Sequence, residues 1–596
     1  MLFRSKAKQA AFKMLYGDWE EAYNRLPSLL GAMAATNSGM YWVVEPLPKK
    51  TRIINGAIFR VFRRAFWSFG QCIMAFKHCR PVISVDGTFF TGQFKGTLLV
   101  AIAHDANDRL LPLAFALVTT ENNDNWEWFM NLVRTKCIEA QREVCVISDR
   151  HQGILNAVEI EIPGHARVHH RWCMRHFVSN FYRACNSKEL SDDLKDCCLA
   201  FTERHFARLY NRLLTLTTSA GGQEFLHRHE SQVHKWARAF DEGGRRYGDM
   251  TSNMAECFNN VIKGVRALPV TAIVQYTFDK LNVYFQKYSE ETDDQIAGKT
   301  ITNKKYKYPP EVDKWVSHQS RKSESQTAQC FDNDEWIYQV NEPGGTTVGG
   351  VQHGGRACKV MLKKGECSCQ RPQLLHLPCS HLRTAGRIRK VKVKEVGPVR
   401  VSEYSIEATK HTWASRFHPY FDQSQWPEYH GIQVWPDLDL KVNTRGRRKT
   451  KRFRNDMDAW GAGGLREWGN QHFQEPRVSA CCGGCNGEGH NNRGCSQKKR
   501  KKGNEGSQQG GSKGGGSQHG GSQGGGSQQG GSQGGGSQHC GSQGGGSQHG
   551  GSHGRGSQHG GSQQSGSQYG RGSGRRVSMF GELRGNGGRR RGGGRR

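Results

Sequence analysis

Three acidic residues stand in contexts that suit metal chemistry: Asp86 in VISVDGTFF, Asp149 in VCVISDRHQG and Glu256 in TSNMAECFNNVIKG. Each aspartate follows a short apolar run, and the glutamate opens a stretch whose apolar residues recur at helical spacing. Such elements can bring carboxylates from distant chain positions to one edge of a sheet. Carboxylates gathered this way hold hard divalent cations such as Mg2+ or Mn2+, which prefer oxygen ligands. Two such ions about 4 Å apart activate a water or a 3′-hydroxyl and stabilise the leaving oxygen of a phosphodiester. Taken alone, an aspartate after a strand is more often a turn or helix cap than a ligand. Asp105, Asp108, Glu121 and Asp124 read as turn carboxylates of that kind.

Two further constellations carry soft ligands. Cys367-Ser-Cys369, nine intervening residues and Cys379-Ser-His381 form two close pairs, a C-x-C…C-x-H pattern suited to one tetrahedral Zn2+. A strand (CKVML) precedes the first pair and a helix-like HLRTAGRI accompanies the second, and the pattern resembles the SWIM zinc finger. His376 is the nearby competitor as fourth ligand. Farther on, Cys482, Cys485, His490 and Cys495 in CGGCNGEGHNNRGC have the spacing of a CCHC zinc knuckle, with glycines where a tight turn needs positive φ. Knuckles bind single-stranded nucleic acid, but this one has no aromatic residue between its ligands for stacking. About two structural zinc ions per chain are therefore expected.

Composition narrows the class of partner. The 596-residue chain has a net charge of +32, which points to a polyanion. No apolar run approaches the ~20 residues that cross a bilayer, and the basic start MLFRSKAKQAAFKM lacks the apolar core of a secretory signal. The 19 cysteines are then expected to be free or metal-bound, in a reducing compartment. The run RGRRKTKRFR, with Arg445, Arg447, Arg448, Lys449, Lys451, Arg452 and Arg454, resembles a minor-groove AT-hook in which Arg448 replaces the usual proline. It reads as a phosphate-binding or nuclear-import segment, as does KKRKK at 498–502. These features imply DNA as partner, with RNA or single strands at the knuckle and tail, and location in the nucleus. A homo-oligomer is compatible with the same reading, and a membrane is not.

The positioning elements read as α/β. Residues 1–75 have an amphipathic helical pattern. RPVISVDGTF, GTLLVAIAHD and LLPLAFALVT form an antiparallel meander, followed by a helix over 125–140, the strand 144–148 and another helix. That order is the order of a ribonuclease H-like core, assigned to residues 76–290. The hundred residues between Asp149 and Glu256 are too long for a loop, so a helical insertion is expected at about 185–245. A polar stretch near 288–330 bridges to the SWIM-type region at 330–400, the basic segment at 440–455 and the knuckle at 480–497. From 503 to 596 repeating GGSQH and GGSQG pentads and an Arg/Gly end cannot bury a core, and are expected to be disordered.

DGTFFTGQFKGTLLVAIAHDANDRLLPLAFALV, ENNDNWEWFM, ISDRHQGI, HRWCMRHFVSNF and SNMAECFNNVIKGVR closely resemble the plant Mutator-like element (MULE) transposases over most of residues 10–500. The resemblance implies a DDE triad of Asp86, Asp149 and Glu256 that cuts DNA and transfers strands with Mg2+ or Mn2+. Cys173 and His176 in WCMRHF match a C-x-x-H feature of the family, read here as an accessory pair beside the active centre rather than half of a zinc site. Family members usually carry a DNA-binding domain ahead of the region where this chain opens, which a gene model truncated at its 5′ end or a decayed element would explain. The alternatives are a catalytically inactive, transposon-derived DNA-binding regulator and an RNA-binding protein, the latter explaining only the end of the chain.

Overall fold

The dipeptide Asn55-Gly56 reverses the chain with both residues in the left-handed region, φ 49° and 82°. This is the backbone that a two-residue hairpin turn requires, and the reason Asn-Gly is favoured there. The structure is a computed structural model describing residues 10–442 except positions 12, 302, 347–351, 354 and 392–401. In it the turn joins β1 (Tyr41–Ile54) to β2 (Ala57–Ser68), paired antiparallel from Tyr41↔Ser68 to Ile54↔Ala57. The helical expectation for 1–75 is therefore corrected. Helix occurs at α1 (Trp19–Thr36) and α2 (Gly70–Phe76), but the region between is a long hairpin. Its aromatic and β-branched residues, such as Phe62, Phe66 and Trp67, pack better on a pleated surface than on a helix.

The hairpin extends a sheet of eight strands. β3 (Val82–Phe89), β4 (Thr97–His104) and β5 (Leu110–Val118) form the antiparallel meander, and β6 (Val144–Ser148) and β7 (Val168–Trp172) add parallel to β3. The order is β1-β2-β5-β4-β3-β6-β7. All eight residues of β4 are buried, as expected for a central strand covered on both faces. α3 (Asn123–Leu132) lies on one face through Trp126 and Phe129, the latter 5.9 Å from Phe66 between ring centroids. α4 (Gln152–Glu159) seats beside it because residue 153 is glycine: a Cβ there would come within 2.7 Å of Trp126 Cδ1.

Helices α5 (Met174–Cys185), α6 (Lys188–Leu199), α7 (Glu203–Leu216) and α8 (Ala220–His229) fill the long interval before α9 (Asn253–Val261). The polar stretch read as a bridge is also largely helical, as the end of α10 (Val270–Ala297) and as α11 (Pro310–Glu324). A second, four-stranded sheet contains β8 (Thr327–Asp332), β9 (Ile337–Glu342), β10 (Arg356–Met361) and β11 (Glu366–Cys367). α12 (Arg371–Leu375) and α13 (Ser380–Arg389) follow it.

Buried polar contacts tie distant parts of the chain together. Arg80, fully buried, donates to Asp108 Oδ1 at 2.6 Å and lies 5.6 Å from the centroid of the Tyr404 ring. The Tyr404 hydroxyl donates to the Leu375 carbonyl at 2.9 Å, and His104 Nε2 is 2.9 Å from Asp249 Oδ2. The chain then returns to the first half. α14 (Ile406–Thr412) packs on α10, and β12 (Val434–Trp435) pairs parallel with β2. All described residues fall within one compact unit, Met1–Gly506.

Candidate metal centres

Register places the two aspartates side by side. β3 and β6 are parallel neighbours with Ser84 opposite Ile147, so Asp86 and Asp149 each stand two residues beyond a paired position. Asp86 is inside β3 and Asp149 is the first residue beyond β6, and neighbouring strands about 4.8 Å apart bring the two positions close. Glu256 arrives from α9, which packs against β3 and β4 and buries Phe258 5.7 Å from Phe115. The carboxylate of Asp86 is half-buried, with Oδ1 accepting from Gly87 N at 2.9 Å and Oδ2 from Asn259 Nδ2 at 2.8 Å. Asp149 Oδ1 accepts from His151 N at 3.0 Å.

The electrostatics register the convergence. Loss of solvent raises the Asp86 carboxyl first, and the negative charges of Asp149 and Glu256 raise it further, to about 7. Burial disfavours the His176 imidazolium, but Cys173, Glu256 and Asp149 outweigh it and lift the group to about 9. Cys173 moves down: burial opposes its thiolate, and His176 more than offsets that. The Cys173 sulfur also accepts from Ser252 N at 3.3 Å, and His176 Nε2 is 3.9 Å from Glu256 Oε1. Arg175 pairs with Glu256 Oε2. Cys173 and His176 thus lie against the third carboxylate rather than in a four-ligand set.

The oxygen atoms suit a hard cation. Among the described residues Glu256 Oε1 and Asn259 Oδ1 are buried and accept no hydrogen bond, with His176 Nε2 the nearest partner of the former at 3.9 Å. The three carboxylates do not form a close-packed set; among the described residues that description belongs to the Cys/His cluster alone. The other acidic residues have structural roles. Asp105 accepts from Asn107 N and Arg109 N, Asp108 pairs with Arg80, Asp124 with Arg63 at 2.6 Å, and Glu121 accepts from Trp126 Nε1 at 3.2 Å.

The second centre is compact. One ligand atom from each of Cys367, Cys369, Cys379 and His381 lies within 4.8 Å of the others, and all four residues are buried. Cys367 ends β11, Cys369 follows in the turn, Cys379 caps α13 and His381 occupies its first turn. The Nδ1 edge of His381 faces sulfur, 3.5 Å from Cys367 and 3.7 Å from Cys379. Its Nε2 is 3.0 Å from Glu342 Oε1, a residue that spacing alone did not single out. A carboxylate on the far nitrogen of a ligating histidine fixes its tautomer and orientation. Three thiols and an imidazole in tetrahedral reach form a donor set for Zn2+. His376 is directed elsewhere: Nε2 is 2.9 Å from the Gly244 carbonyl and the ring lies 4.2 Å from Tyr247.

The knuckle ligands Cys482, Cys485, His490 and Cys495, the basic residues Arg445 to Arg454 and the tail from 503 lie outside the described residues. No helix among the described residues is long and apolar enough to cross a membrane.

Residues 82–180, which run from β3 through most of α5 and include Asp86 and Asp149, match the family model of the MULE transposase domain. That segment of the chain is therefore similar to the transposase class. No curated protein matches the chain.

Proposed function

We propose that the protein is a Mutator-like transposase of plant type with a ribonuclease H-like DDE core. In this reading it acts on DNA in the nucleus by metal-dependent cleavage and strand transfer. The observation that carries the reading is the placement of Asp86 in β3 and of Asp149 just past the end of the adjacent parallel β6, inside the matched segment, with the charges of Asp149 and Glu256 both acting on Asp86. The strand order β5-β4-β3-β6-β7, with three antiparallel strands followed by two parallel ones, supports the core assignment.

Asp86, Asp149 and Glu256 would hold Mg2+ or Mn2+. Such a pair supplies activation of a water or 3′-hydroxyl and stabilisation of the leaving oxygen. The protein's own part is to fix the carboxylates on rigid elements. β3 carries the first, the end of β6 leads into the second, and α9 sets the third by burying Phe258 against the sheet. Cys173 and His176 add a proton-bearing group within reach of Glu256. The Cys367, Cys369, Cys379 and His381 cluster is assigned as a SWIM-type structural zinc site, and Cys482, Cys485, His490 and Cys495 as a zinc knuckle. Together with the basic run 445–454 these would hold DNA, with RNA or single strands as further ligands of the knuckle and tail.

One contact favours a second reading, a catalytically inactive DNA-binding regulator: Arg175 neutralises Glu256, where a cation would otherwise bind. Strand transfer decides between them. Purified protein with Mg2+ or Mn2+ and a pre-cleaved oligonucleotide should join strands, and Asp86→Ala, Asp149→Ala and Glu256→Ala should each abolish joining. DNA binding without joining under any of these metals would select the regulator. Joining that survives all three substitutions would overturn the triad.

A further inference from the structure

The proposed triad accounts for three carboxylates but leaves a neutral side chain in contact with one of them. Asn259 lies three residues after Glu256 on α9, so the two occupy one helical face a turn apart. Its Nδ2 donates to Asp86 Oδ2 at 2.8 Å, while the other carboxylate oxygen, Oδ1, takes the Gly87 amide at 2.9 Å. The Asp86 carboxylate is thereby held by one donor on each oxygen, which fixes its torsion as well as its place. The donor joins β3 to α9, so the contact also sets the position of the first carboxylate relative to the third.

Residue type matters here. A lysine or arginine at 259 would hold Asp86 more strongly but would cancel charge that a cation needs, as Arg175 does at Glu256. A carboxylate would add repulsion to a site already crowded with negative charge. An aliphatic residue would leave Asp86 Oδ2 without its donor. An amide orients the carboxylate and leaves its charge available. Asn259 Oδ1, on the same amide, is buried and accepts no hydrogen bond from the described residues, so none of them competes for the group.

We propose that Asn259 is a positioning residue of the carboxylate centre: it holds Asp86 in the orientation that binds the divalent cation. The inference rests on the transposase reading of the triad. Partners one shell out from a metal typically contribute 10–100-fold to metal affinity, and that range sets the expected effect.

The test uses the full chain and Fe2+ as probe, which replaces Mg2+ in oxygen-ligand sites and, with ascorbate and peroxide, cuts the polypeptide beside its ligands. Fragment sizes separate cuts near residues 86, 149 and 256 from cuts elsewhere, including the histidine-bearing tail. In the unsubstituted protein half-maximal cutting defines the affinity. Asn259→Ala should need about 10–100-fold more Fe2+ for the same cuts. Its strand transfer should recover when Mn2+ is raised by a similar factor, with the maximal rate retained. Asp86→Asn should lose the cuts altogether. Cutting by Asn259→Ala at the unsubstituted Fe2+ concentration, with Asp86→Asn blank, overturns the role of Asn259 and leaves the triad standing. Cuts that persist in Asp86→Asn overturn the triad and the inference together. Activity of Asn259→Ala that stays low at every Mn2+ concentration assigns the residue to structure or to another step and also overturns the proposal.

Discussion

The indole Nε1 of Trp413 donates to Asp105 Oδ2 at 2.8 Å, across 308 residues of chain, and neither residue is exposed to solvent. Asp105 sits in the turn between β4 and β5, where its other oxygen takes the amides of Asn107 and Arg109 at 2.8 and 2.9 Å. The carboxylate is thus satisfied on one side by its own turn and on the other by the returning chain. Trp413→Phe keeps most of the buried ring and removes the donor, leaving that carboxylate oxygen with the Arg109 guanidinium at 3.9 Å but no hydrogen bond from the returning chain. The expected loss is about 1–3 kcal/mol in denaturant unfolding. A midpoint equal to that of the unsubstituted protein would show that the tie contributes nothing.

The crowded carboxylates predict a stability gain at the expense of activity. Burial and two like charges oppose ionisation of Asp86, so removing its charge relieves repulsion in the metal-free protein. Asp86→Asn should melt higher than the unsubstituted protein in chelator, and lose strand transfer. Added Mg2+ should narrow the gap, because a cation bound to the native state stabilises only the chain that retains the site. Calorimetry with and without Mg2+ measures both effects.

Zinc content gives a separate check. Cys369→Ser removes one of four buried ligands and should lower the zinc measured in purified protein from about two ions per chain to about one. Glu342→Gln keeps all four ligands and disturbs only the far nitrogen of His381. It should weaken zinc by about 10–100-fold in competition with a chelator. Equal retention by Glu342→Gln and the unsubstituted protein would remove the carboxylate from the site.

Acid should act through His170. Burial between strands lowers this imidazole to about 3, and its Nε2 stays 2.9 Å from Ser148 Oγ. The unfolded chain takes up a proton near the ordinary value of 6.5, while the folded chain stays neutral until far lower pH. Between those values the unfolded state binds more protons, so stability falls as pH drops from about 6.5 toward 3. The slope from this one residue approaches about 1.4 kcal/mol per pH unit. His170→Leu should unfold with a shallower pH dependence over that window, although it loses the bond to Ser148. An unchanged slope would place the acid sensitivity elsewhere.

The elements around the carboxylates were legible because each is defined by local pattern: buried runs at β3 to β6, turn signals between them and helical spacing at α9. Their convergence was legible only through strand order. The β1–β2 hairpin was misread although Asn55-Gly56 marks it, because amphipathic aromatic residues at 57–68 fit a helical count as readily as an alternating one. Asn259 and Glu342 escaped notice for another reason. Each acts through one bond to a residue more than thirty positions away, and nothing in the neighbouring sequence announces such a partner. The return of residues 402–442 to the large sheet is likewise a matter of long-range pairing.

That return has a consequence for how the chain is made. β12 joins β2 some 370 residues after β2 has been synthesised, and Lys441 forms a bridge with Phe94. At about 5–20 residues per second, roughly 20–70 s separate the two events on the ribosome. During that interval Arg60 and Val61 lack their β12 partners, and the pocket for Trp413 waits with Asp105 inside it. The nascent first half is thus an unfinished surface until its last strand emerges.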